Sequence, residues 1–89
     1  MPKYEMKDKI RRMSIIVYML QKKDYNIHQI QEKINYIMQY EWSRSIIEKD
    51  IRELRAEFEC PIQRIGHKLC IKQPYSFVNQ IQNWVEFYL

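Results

Sequence analysis

Eighty-nine residues, 46% apolar, 29% charged and 13% aromatic, make one small domain near the lower size at which a single core folds without metals or disulfides. One glycine and three prolines exclude collagen-like or linker-like sequence, and the apolar content is too high for a disordered chain. The formal charge of +4 favours anionic partners, and its distribution is uneven: residues 61–73 hold three basic and no acidic groups, and residues 1–23 hold seven against two.

The longest apolar run, Ile15 to Leu20, is far too short to span a bilayer, and Met-Pro-Lys-Tyr-Glu does not resemble a secretory signal, so a cytoplasmic location is expected. Cys60 and Cys70, with only His28 and His67 besides, lack the number and spacing of zinc ligands and read as ordinary thiols. There is no nucleophile–base pair, paired carboxylates or glycine-rich phosphate loop, and neither enzymatic activity nor a cofactor is expected.

In chain order, Ile10, Met13, Val17 and Leu20 recur at the spacing of one buried stripe and predict a first helix over 7–23. Asp24-Tyr25-Asn26 supplies turn and N-cap chemistry, and Ile27, Ile30, Ile34 and Ile37 predict a second helix over 27–40. Ser43 and Ser45 both suit the N-cap of a third helix over 44–58, Ser45 with Glu48 in capping-box spacing. Ile47, Ile51, Leu54 and Phe58 form its stripe, and Cys60-Pro61 closes it. Ile62, Leu69 and Ile71 alternate with polar residues around Gly66 and predict a two-stranded hairpin within 61–72. Phe77, Ile81, Trp84, Val85 and Tyr88 return to helical spacing over 77–89.

The fold expected is mainly α with a small β-hairpin. Three helices, a glycine-tipped wing and an additional C-terminal helix give the element order of a winged helix-turn-helix within a single domain, 1–89. In such a domain the third helix enters the major groove and the wing lies along the backbone. The string Trp42-Ser43-Arg44-Ser45-Ile46-Ile47-Glu48-Lys49-Asp50-Ile51-Arg52-Glu53-Leu54, followed by Pro61-Ile62 and Gly66, resembles the N-terminal DNA-binding domain of DeoR-like and WYL-domain bacterial regulators. The resemblance covers roughly residues 8–73. Trp42, Ser43, Ile47, Asp50, Ile51 and Leu54 take the positions such recognition helices fill with the same residue types, Lys49 stands for the usual Arg, and Ile46 replaces the usual Thr. It implies a bacterial, plasmid or phage transcription regulator, here with no small-molecule effector domain in this chain.

A helical wheel with the apolar stripe inward places Ser45, Lys49, Arg52 and Ala56 outward, with Glu48 and Arg55 beside them and Asp50, Glu53 and Glu57 on the other flank. Arg44, Ser45, Glu48, Lys49, Arg52 and Arg55 are therefore the candidate contacts of the reading helix with double-stranded DNA, arginine being suited to bidentate pairing with guanine. Asp50 is assigned instead to an ion pair with a basic residue of the first helix. In the wing, Arg64, His67 and Lys68, with Lys72 nearby, surround the tip without an opposing acid and are candidate phosphate contacts. Lys3, Lys7, Lys9, Arg11 and Arg12 suggest a further basic arm. Phe77, Ile81, Trp84 and Tyr88 load the last helix with apolar surface and are the candidate contacts of a homodimer. The alternative function is a winged-helix protein-interaction module in which the basic groups only maintain solubility.

Overall fold

The computed structural model describes residues 6–88; Lys3 of the expected basic arm and the side chains of Trp84 and Tyr88 lie outside the described set. Four helices and one hairpin follow in order: α1 (Met6–Lys22), α2 (Ile27–Met38), α3 (Arg44–Glu57), β1 (Ile62–Ile65), β2 (Lys68–Ile71) and α4 (Phe77–Tyr88). The chain is thus mainly helical with a two-stranded antiparallel hairpin, and every element lies within two residues of its predicted span.

Met13, Ile16, Val17 and Leu20 of α1 face Ile30 and Ile34 of α2 and Ile47, Ile51 and Leu54 of α3 across one core. Ile62, Leu69 and Ile71 of the hairpin and Phe77 of α4 close its open end. Four predicted stripe residues of the first three helices are less covered: Ile37 is exposed at the end of α2, and Ile10, Ile27 and Phe58 are only partly buried against the core. Among the described residues no helix is long and apolar enough to cross a membrane.

Helix ends follow side-chain chemistry. Asn26 caps α2 in a full capping box, its side chain accepting from the Gln29 amide at 2.8 Å while Gln29 Oε1 accepts from the Asn26 amide at 2.9 Å. Ser43, not Ser45, caps α3, accepting from the Ile46 amide at 3.2 Å. The third helical position is then Ile46, which packs partly against the core, and Glu48 is left to pair with Arg44 instead of completing a box. Pro61 does not end α3; Glu59, in the left-handed region at φ 50°, turns the chain so that the Cys60 amide donates back to the Leu54 carbonyl at 2.9 Å.

In the hairpin, Ile62 pairs with Ile71 and Ile65 with Lys68, leaving Gly66 and His67 as a two-residue loop. Gly66 at φ 64° meets the demand of a type II′ turn for positive φ at its first central residue. A link absent from the sequence reading extends this sheet: Tyr25, between α1 and α2, exchanges both backbone hydrogen bonds with Leu69, at 3.1 and 2.7 Å. The hairpin is thereby tied to the α1–α2 connection as well as to the core.

Candidate nucleic-acid interface

The chain between α2 and α3 sets how α3 is presented, and it contains no glycine. Gln39 supplies the left-handed residue at φ 54° that glycine usually provides, its amide capping the Asn35 carbonyl. Asn35 then reads both sides of Trp42: its Oδ1 accepts from the Trp42 amide at 2.8 Å, and its Nδ2 donates to the Trp42 carbonyl at 3.3 Å. Gln31 Nε2 donates to the same carbonyl at 3.1 Å. Two polar side chains of α2 thus latch the residue that precedes the α3 cap. The sequence offered a faint signal for this, two amides four residues apart beside an apolar stripe.

Behind α3, Asp50 is 1% exposed and its carboxylate takes two hydrogen bonds from Arg12, itself 4% exposed, at 2.5 Å to Nε and 3.2 Å to Nη2. The Arg12 guanidinium lies 4.3 Å from the centre of the Trp42 ring. Burial pushes the Asp50 carboxyl up from the ordinary carboxylate range, and the hydrogen bond and charge of Arg12 pull it back. This is the expected pairing of Asp50 with the first helix. It also removes Arg12 from the predicted basic arm, because a cation committed to a buried carboxylate cannot meet phosphate. Lys9 leaves the arm in the same way, paired with Glu53 of α3.

The consequence is electrostatic. Two of the acids of α3 are matched by α1 on the inward flank, while Ser45, Lys49, Arg52 and Ala56 are all exposed on the outward one. Neither Lys49 nor Arg52 forms an ion pair or hydrogen bond with another described residue. Arg44 pairs with Glu48 at 3.2 Å across one exposed turn, a contact of at most about 0.5 kcal/mol that a phosphate can displace. Arg55 keeps its charge at the surface but donates from Nε to the Ile62 carbonyl at 3.2 Å, fixing the base of the hairpin to α3.

The hairpin cations are less concentrated than the sequence suggested. Strand register places Arg64 on the face shared by Ile62, Leu69 and Ile71, and Lys68 on the opposite face, with His67 at the tip between them; all three are exposed. Lys72 is not without an opposing acid, since Asp24 accepts from its Nζ at 3.2 Å.

The last helix corrects one expectation. Phe77 is 6% exposed and packs edge-on against Phe58 at 5.4 Å, and Ile81 is partly buried against the same core, so the first turns of α4 fold onto their own domain rather than face a partner. Ser76 caps this helix, its hydroxyl accepting from the Asn79 amide at 3.3 Å, and Tyr75 anchors the approach by donating from its hydroxyl to the Phe58 carbonyl at 2.6 Å. Burial holds the Tyr75 hydroxyl well above its usual range, with Cys60 adding to the effect. Among the described residues no cluster of three His, Cys, Asp or Glu side chains is placed to hold a metal ion. No protein-family model, curated protein or solved structure matches the chain.

Proposed function

We propose that this chain is a sequence-specific double-stranded DNA-binding protein of the winged helix-turn-helix type, a transcription regulator that reads bases with α3 and touches phosphates with the hairpin. The observation that carries the reading is the division of charge on α3. Arg12 and Lys9 match Asp50 and Glu53 on one side, and Lys49 and Arg52 stand exposed without a carboxylate partner among the described residues on the other. A solvated helix has no need to sort its charges in this way, whereas a helix lying in a groove lined by phosphates does. Small side chains at Ser45 and Ala56 permit close approach, and the latch on Trp42 and the Arg55 tether hold helix and hairpin in fixed relation. The single bridge of Tyr25 to Leu69, ahead of α2, ties the hairpin to the α1–α2 connection and so fixes it further against the helices.

Lys49, Arg52, Arg55, Arg64 and Lys68 would neutralise phosphates or meet base edges, giving a log–log salt slope of about −4 for binding. Fluorescence anisotropy with a random duplex at low salt tests the reading. Binding that weakens steeply with salt supports it; absence of even non-specific binding favours a protein-interaction module instead.

A further inference from the structure

On α1, Asp8, Arg11, Ile15, Tyr18 and Lys22 follow one another at alternating spacings of three and four residues, the repeat of a helix that pairs with another helix along one stripe. At 3.6 residues per turn this stripe lies across the helix from Met13, Ile16, Val17 and Leu20, which face the core, and away from Lys9 and Arg12, which reach α3. Of its apolar members Tyr18 is 64% exposed and Ile15 half-buried, and beside them on α2 stand Ile37 at 52% and Tyr36 at 73%. A cleft of about 770 Å³ between α1 and the end of α2 continues into a second of about 580 Å³, with Ser14, Ile15 and Ile37 common to both. The α1–α2 seam is therefore one continuous apolar furrow with Asp8 and Arg11 at one end and Lys22 and Lys33 at the other.

We propose that this face pairs with the same face of a second copy, each α1 running antiparallel across the other about a two-fold axis at Ile15. The charges select both the occupant and its direction. Asp8 and Lys22 each lie seven residues from Ile15, about 10 Å along the helix, so reversal about Ile15 sets Asp8 of each copy against Lys22 of the other. The same reversal brings Arg11 beside Tyr18, an arrangement suited to a cation–π contact, and sets Ile15 against itself. By symmetry each opposition occurs twice. A parallel pairing would instead oppose Asp8 to Asp8 and Lys22 to Lys22.

The face is modest in area. Two adjacent helices about 25 Å long and 20 Å wide project about 500 Å² per partner, below the about 800 Å² of a standard stable dimer and at the lower end of specific interfaces, as suits a dimer that forms only with rising concentration. The contacts Asp8 now makes with Arg11 at 3.8 Å, and Lys22 with the Tyr18 ring at 5.1 Å, are surface contacts easily exchanged. The outward residues of α3 project from the far side of the bundle, so the pairing leaves them uncovered and does not depend on what they bind.

Sedimentation equilibrium of the full chain, from micromolar to hundreds of micromolar, tests the pairing. The expected result is a concentration-dependent dimer whose Kd rises about tenfold in Asp8→Lys and in Lys22→Asp. The double variant Asp8→Lys/Lys22→Asp returns Kd toward that of the natural sequence, because the reversed charges again meet opposites. Tyr18→Lys, at an exposed position set against Arg11 of the other copy, weakens the dimer while leaving the helical circular dichroism intact. A monomer at every concentration overturns the proposal, as does a dimer indifferent to the single reversals, or a double variant no tighter than either single one.

Discussion

Replacing Asp50 by alanine leaves the Arg12 guanidinium buried with no carboxylate beside it. Arg12 is 4% exposed, its Nη1 has no hydrogen-bond partner among the described residues even with Asp50 in place, and the compensation left among them is the Trp42 ring 4.3 Å away. Breaking a buried pair from one side costs about 3–5 kcal/mol. A domain of 89 residues has a total stability of roughly 4–13 kcal/mol, so the variant sits near the edge of folding. At about 4–8 °C per kcal/mol, Tm falls by at least about 12 °C. Urea unfolding followed by circular dichroism reads this directly. Two further variants isolate the cause. Glu53→Ala, which breaks the partly exposed Lys9 pair, costs under about 1 kcal/mol, and Arg12→Met/Asp50→Leu recovers most of the loss, since apolar residues of similar volume need no desolvated charge. A loss below about 1 kcal/mol in Asp50→Ala would show that Arg12 reaches water after all, and with it a route to phosphate.

Arg52→Ala costs about 1–3 kcal/mol of duplex affinity and relaxes sequence preference, whereas Lys68→Ala weakens all sequences alike; competition binding against a random pool separates the two. Asn35→Ala removes the side chain that grips both sides of the Trp42 backbone and costs about 1–3 kcal/mol in urea unfolding. Gly66→Ala meets no neighbouring atom within 4 Å, so its cost is the left-handed backbone alone, about 1–2 kcal/mol. Burial pushes the Cys60 thiol up to about 12, so it stays unreactive toward a disulfide reagent at pH 8 in the folded chain and reacts in denaturant. Because the folded value lies above the ordinary thiol range, Cys60 favours unfolding as pH rises through about 9 toward 12.

Periodicity was enough to place the helices because each carries one apolar stripe, and the hairpin because Gly66 interrupts an alternation. The same stripes identified the outward residues of α3, and the position of Asp50 at the edge of its stripe pointed to a partner on α1. What stayed hidden depends on contacts between distant segments. Arg12 is buried only because Asp50, 38 residues away, and the Trp42 ring meet it there. Ile37 continues the spacing of α2 but lies at the open cleft between α1 and α2 rather than beneath a neighbouring helix, so it is exposed. Gln39 and Glu59 adopt left-handed turns without the glycine that announces them, and Tyr25 joins the sheet by a single residue pair. The aromatic load of α4 could not tell a core from a partner; Phe58 settles it for Phe77.

The central claim is that Lys49 and Arg52 read bases. Selection of bound duplexes from a random pool, run in parallel with the natural chain and with Lys49→Ala/Arg52→Ala, tests it most directly. The account predicts a defined consensus from the natural chain and none from the variant; the same consensus from both, or none from either, contradicts it.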